Sequence, residues 1–192
     1  MQNKKLWIAF GVVLALCLCV GIGGFFMLRT MGSRVAESLK TDPAEVQQVG
    51  AKIADYTVPS GYTQTMAMSI LGSDFVFIGP EDGGNGMLIM MMQFSNSMNS
   101  DPEAFQEQMQ RSFEQQSGRR GLNMKVVDTK TMSIRGQDVE VSILEGTDEN
   151  GISVRQLLTS FEGKAGTVMV MAQGLTEAWD QDMIDNFLLS IQ

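Results

Sequence analysis

The chain has 192 residues, with 14 Lys+Arg against 22 Asp+Glu, two cysteines and no histidine. Without histidine there is no Ser-His-Asp or Cys-His catalysis, no imidazole site for zinc or copper(II), and no histidine-based pH sensing. Both cysteines, Cys17 and Cys19, lie in one apolar run, so the remainder has no disulfide of its own, no thiolate nucleophile and no Cys-based metal site.

A short tail, residues 1–5, carries Lys4 and Lys5, and residues 6–28 follow without a charge. At about 1.5 Å rise per residue this run is long enough for a roughly 30 Å hydrocarbon core, and it predicts one transmembrane helix. Leu6, Trp7, Phe10, Leu14, Leu18, Phe25, Phe26 and Leu28 are its apolar anchor residues. A cleaved signal peptide has a shorter apolar region, about 7 to 15 residues, so retention is expected. Cys17 and Cys19 each follow a leucine, where a lipoprotein processing site would carry a small residue, which argues against lipid attachment. Lys4 and Lys5 face Arg29 and Arg34 across the run; a tail this short is expected to stay inside, with the following domain outside the cytoplasm.

Four of the basic residues flank the run, which leaves ten against all 22 acids and a domain net charge of −12. Such a domain is repelled by a phosphate backbone and by an anionic lipid surface, so nucleic acid is excluded as a partner. Residues 29–41 read as a polar tether and 42–192 as one acidic domain.

Within that domain Asp42-Pro43-Ala44-Glu45 has the form of a helix start, with Val46, Val49 and Ile53 on one face. Pro59, Ser60 and Gly61 mark a turn. From Thr63 to Ile70 apolar residues alternate at Met66, Met68 and Ile70, the period of a half-buried strand. Asp74–Ile78 and Met87–Phe94 predict a hairpin around the glycine-rich loop Gly79–Gly86. Ser100-Asp101-Pro102-Glu103 predicts a second helix carrying Phe105, Met109 and Phe113 and ending near Gly118. Strands are expected over Met124–Thr129, Thr131–Arg135, Val139–Leu144, Ile152–Phe161 and Thr167–Gln173, with hairpin turns at Arg135-Gly136-Gln137, Asn150-Gly151 and Glu162-Gly163-Lys164. A last helix begins near Glu177 with Thr176 as its cap and carries Met183, Ile184, Phe187, Leu188 and Ile191.

This order predicts an α+β fold, an antiparallel sheet flanked by helices on both sides as an α/β/α sandwich, preceded by the transmembrane helix. The turn Pro59, Gly61, Tyr62, the mid-chain helix, the meander and the terminal Phe187-Leu188-Leu189-Ser190-Ile191 together resemble the PsbP/Mog1-like domains. The resemblance covers Tyr56 to Gln192 and implies the same sandwich. Members of that family are mostly non-enzymatic assembly, regulatory or partner-binding factors, so it implies interaction in place of chemistry.

Methionine is frequent and clustered: Met66 with Met68, Met87 with Met90, Met91 and Met92, and Met169 with Met171. Thioethers suit copper(I), yet these sit mid-strand where a buried sheet needs flexible filler, so packing is the leading reading and no cofactor is expected. Met87, Met90, Met91 and Met92 make their strand apolar on both faces, as in a central strand or in one that reserves a face for a partner or ligand. Glu81, Asp82 and Asn85 offer oxygens for calcium but fit no EF-hand spacing, and turn chemistry explains them. Asp180, Asp182 and Asp185 fit a solvated helix face, and paired-carboxylate catalysis is otherwise unconstrained by the sequence. The expected role is therefore non-catalytic: a membrane-tethered interaction or assembly module for another envelope or membrane protein. The alternative is a binding domain for a small apolar or lipidic ligand near the membrane.

Overall fold

Two antiparallel meanders, joined at their inner strands, make up the domain. The structure, a computed structural model, describes residues 39–70, 72–95, 111, 124–147 and 150–192. The strands are β1 (Leu39–Lys40), β2 (Tyr62–Ile70), β3 (Ser73–Pro80), β4 (Leu88–Ser95), β5 (Lys125–Ile134), β6 (Gln137–Thr147), β7 (Ser153–Glu162) and β8 (Gly166–Leu175). They form one eight-stranded sheet in the order β1-β2-β3-β4-β8-β7-β6-β5, antiparallel throughout. Helices α1 (Pro43–Ile53) and α2 (Gln181–Leu189) complete the described elements, with a 3-10 turn at Thr176–Ala178 before α2.

Local chemistry accounts for most of these boundaries. Asp42 accepts hydrogen bonds from the Ala44 and Glu45 amides at 3.0 and 3.3 Å, and Pro43 occupies the first turn of α1, where its missing N–H costs nothing. The β5–β6 hairpin turns on Arg135 and Gly136, both at positive φ (54° and 73°), the pairing whose twist matches that of the flanking strands. The expected strands Met124–Thr129 and Thr131–Arg135 are one strand, because Lys130 pairs with Val141 between them; the register shifts instead between Val126 and Asp128. The last helix starts at Gln181 and not near Glu177. Its cap is Asp180, whose carboxylate accepts from the Met183 amide at 2.9 Å, while Thr176 opens the 3-10 turn.

Both helices lie on the same face of the sheet. Val46, Val49 and Ile53 of α1 and Ile184, Phe187 and Leu188 of α2 share one core with Val76, Ile78, Met87, Ile89, Met91, Leu157, Val168, Val170 and Ala172. The alternation of side chains along each strand puts these sheet residues on one side and their neighbours on the other. The expected α/β/α sandwich is thereby corrected: the described domain is a sheet-dominated, two-layer arrangement with helices on one face, and α+β with flanking helices on both faces does not describe it. Of the helix expected over Ser100 to Gly118 only Arg111 is described, and it is helical; the other residues lie outside the described ones. The expected transmembrane helix is corrected likewise. No helix among the described residues is long and apolar enough to cross a membrane, and Leu6, Trp7, Phe10, Leu14, Leu18, Phe25, Phe26 and Leu28 lie outside them.

Long-range polar contacts hold the helix layer in place. The Asp55 and Gln192 backbones exchange hydrogen bonds at 3.3 and 2.8 Å, and the Thr57 amide donates to Ser190 Oγ at 3.0 Å. Lys164, in the β7–β8 turn, donates to the Ala51 carbonyl at 3.0 Å and pairs with Asp55 at 2.8 Å, which ties that hairpin to the end of α1.

Tyr56 closes the gap between α1 and α2. Its ring meets Phe187 edge-on at 5.7 Å, and its hydroxyl accepts from Gln64 Nε2 at 2.7 Å. Gly50 makes this possible, since a Cβ there would fall 2.4 Å from the Tyr56 hydroxyl oxygen. Burial pushes the Tyr56 phenol up from 10.0 to about 12, against the smaller opposing effect of the Gln64 hydrogen bond. Below pH 10 the phenol is neutral in folded and unfolded chains alike. Between pH 10 and 12 the unfolded chain releases the proton and the folded one holds it, so stability falls across that window, by about 2 to 3 kcal/mol at most. Urea denaturation at pH 9 and pH 11.5 should show this loss in the wild-type protein and a smaller one in Tyr56→Phe; equal losses in both would remove Tyr56 as the cause.

Candidate functional site: a methionine and phenylalanine face

On the side of the sheet away from α1 and α2, cross-strand register aligns apolar side chains in rows. One row runs Met66, Phe77, Met90, Met171, Leu158 across β2, β3, β4, β8 and β7. A second runs Leu39, Met68, Phe75, Met92, Met169 across β1, β2, β3, β4 and β8. Five strands at about 4.8 Å spacing give each row a width of about 19 Å. Met92, Met124, Leu144, Leu158 and Met169 form a second apolar cluster here, separate from the helix-side core, with Phe75, Met90, Phe94 and Met171 packed against it. Phe75 and Phe94 meet edge-on with centroids 6.1 Å apart.

At one end the face opens into a groove of about 450 Å³ lined by Leu88, Met90, Val154, Met171, Gln173 and Leu175. Leu88 is 46 % exposed there. Beside the groove Gln156, a buried amide, donates from Nε2 to the Met171 sulfur at 2.7 Å.

The four methionines singled out from the sequence divide between the two faces. Met87 and Met91 are fully buried in the helix-side core, whereas Met90 and Met92 belong to the opposite face. β4 lies between β3 and β8, so a run apolar at every position is what its two neighbours and two faces require. Met66, Met68, Met169 and Met171 stand on the same side as Met90 and Met92. Sequence reasoning overlooked Phe75 and Phe77, which the β3–β4 hairpin sets opposite Met92 and Met90, and Leu158 and Gln156, which only the β7–β8 pairing brings beside Met171.

Asp82, Glu145, Asp180 and Asp185 are engaged structurally. Asp82 Oδ1 accepts from the Gly84 amide at 2.9 Å and the Gly83 amide donates to Pro80 O at 3.1 Å, so the Glu81–Gly86 loop is held by turn hydrogen bonds. Asp185 pairs with Lys130 and accepts from Gln181 at 2.8 Å; Glu145 pairs with Arg155, whose guanidinium lies 5.9 Å from the Trp179 ring. A cleft of about 670 Å³ between Thr57–Ser60 and α2 has Asp180 and Asp182 on its wall, with the Asp180 carboxylate taken up in capping α2. Among the described residues no group of three or more Cys, Asp or Glu side chains is placed to hold a metal ion.

The geometry defines a class: an antiparallel sheet domain that buries one face under two helices and gathers thioethers and phenyl rings on the other. Compared with protein-family models and with curated proteins, the chain matches none.

Proposed function

We propose that this protein is a non-catalytic interaction module tethered at a membrane, with its domain outside the cytoplasm. On this reading the methionine and phenylalanine face receives another envelope or membrane protein. The observation that supports it is the contiguous apolar surface through Phe75, Phe77, Met90 and Met171, half-buried side chains on the face away from both described helices. Thioethers suit such a surface because they are polarizable and change rotamer at little cost, so one strip fits an irregular partner. The domain's lack of histidine and cysteine agrees with a role without chemistry.

A second reading is supported by the groove beside Leu88 and Met171: a site for a small apolar ligand. Photocrosslinking in intact cells separates the two. A photoreactive residue in place of Leu88, on the groove, should give one dominant protein adduct, and the same residue in place of exposed Asp182 on α2 should give none. Adducts of equal yield from both positions, or none from either, would remove the proposed docking face. A small molecule retained in native mass spectrometry and lost in Leu88→Glu would favour the second reading.

A further inference from the structure

The chain contains two Asn-Gly pairs, Asn85-Gly86 in the β3–β4 loop and Asn150-Gly151 in the β6–β7 turn, and all four residues are exposed. Asparagine followed by glycine is prone to self-modification, because glycine has no Cβ to obstruct the attack of its amide nitrogen on the asparagine side chain. What separates the two pairs is the space around each glycine. At Gly151, with φ at 80°, no atom beyond its chain neighbours lies within 4 Å of where a Cβ would stand. Gly86 is wedged: a Cβ there would fall 2.5 Å from Pro80 Cγ and 2.9 Å from the Tyr62 hydroxyl oxygen, and the next amide, that of Met87, donates to the same hydroxyl at 3.1 Å. We infer that Asn150 is a site of spontaneous deamidation, and that the fold protects Asn85, which lines the groove, from the same reaction.

The reaction needs only water and hydroxide. Hydroxide takes the Gly151 amide proton, and the nitrogen attacks Asn150 Cγ. The C–N bond of the side-chain amide breaks, ammonia leaves with a proton drawn from water, and a five-membered succinimide closes. Water then adds across one of the two ring C–N bonds. Opening at the side-chain carbonyl gives aspartate; opening at the main-chain carbonyl gives isoaspartate, in which the chain runs through the former side chain. Ring closure requires the peptide plane between the two residues to turn. Gly151 has room for this between the end of β6 at Thr147 and the start of β7 at Ser153. At Gly86 the same rotation would drive the backbone against Pro80 and Tyr62 and pull on the amide of Met87, whose side chain is fully buried in the helix-side core. Either product adds a negative charge to an already acidic domain. Isoaspartate also inserts one backbone atom ahead of Ser153 and Val154, which pair with Thr147 and Gly146, and Val154 forms part of the groove wall. The inference concerns the two Asn-Gly pairs alone and holds whatever occupies the face.

The test uses the full chain in mild detergent, incubated in mildly alkaline buffer and mapped by peptide mass spectrometry, with fragmentation that separates isoaspartate from aspartate. Asn150 should convert several-fold faster than Asn85 in the folded protein, and equal rates or a faster Asn85 would overturn the inference. The same incubation in urea should bring the two rates together, because the unfolded chain leaves both glycines open. A difference of the same size in urea would place its source in the local sequence and overturn the protection of Asn85 by the fold. Tyr62→Phe removes the hydroxyl that receives the Met87 amide; it should raise the Asn85 rate and leave the Asn150 rate unchanged. An unchanged Asn85 rate would overturn the part assigned to Tyr62. If Tyr62→Phe does not fold, the comparison of folded and urea-unfolded wild type decides.

Discussion

Phe187→Ala is expected to lower the unfolding free energy by about 3 to 5 kcal/mol, a large part of the roughly 5 to 15 kcal/mol that a domain of this kind possesses. Phe187 is 2 % exposed, sits on the buried face of α2 with Ile184 and Leu188, and takes the Tyr56 ring edge-on. Truncation would remove the apolar area of a phenyl ring and leave a void that the surrounding helix and loop can fill only in part. It would also free Tyr56 on the side where its ring meets α2. The loop beyond Tyr56 would feel the change too, because Ser190, which receives the Thr57 amide, donates its hydroxyl to the Phe187 carbonyl at 2.7 Å. Leu189→Ala is the matched control. Leu189 is 59 % exposed on the same helix, and its loss should cost no more than about 0.5 kcal/mol. Urea denaturation of the two variants measures the contrast, and equal midpoints would mean that α2 does not bury Phe187 against the sheet.

The second large effect is a difference between adjacent residues. Met91→Ala should cost about 2 to 5 kcal/mol, since Met91 is fully buried beneath the helices with Val76 and Val170 as its cross-strand neighbours. Met90→Ala should cost about 1 kcal/mol or less, because Met90 is half-buried on the other face beside Phe77 and Met171 and part of its area is already in water. Its effect should appear in partner recovery from the crosslinking experiment. The contrast is a direct test of the register of β4: a slip of one residue would exchange the two faces and reverse the order of the costs. Denaturation midpoints for both variants and partner recovery for Met90→Ala decide it.

Period and punctuation made much of the fold legible before any coordinates. Asp42-Pro43 marks the start of α1 because an acceptor side chain followed by a residue without an N–H suits only a helix N-terminus. The alternation at Met66 and Met68 and the continuous run of β4 identify an edge-side strand and a central one. Arg135-Gly136 marks a hairpin, although its positive φ values also let β5 extend unbroken to Ile134, where local pattern alone suggests two shorter strands. The sequence reading places the cap of the last helix at Thr176, and the structure places it at Asp180, four residues on. Which one serves depends on where Ile184 and Phe187 must point, and that is set by the sheet.

The candidate site lay beyond local reading for a different reason. The methionines were visible as clusters in the chain, but a cluster along one strand alternates between faces. Met87 and Met91 turn to the helices while Met90 and Met92 turn away. Which residues join them is decided by β4 pairing with β8, a contact between strands more than 70 residues apart in the chain. No local propensity encodes that pairing.

The amino-acid sequence by itself determined the absence of histidine, the confinement of cysteine to residues 6–28, the acidity of the domain and the strand and helix periods, because each is a property of composition or of near neighbours. The folded sheet settles that both described helices cover one face, that phenylalanine and methionine from four strands align in rows on the other, and that a buried Gln156 amide meets the Met171 sulfur. These depend on strand order and register, and antiparallel pairing across long loops is set by the burial of whole faces, not by the residues next to each other in the chain.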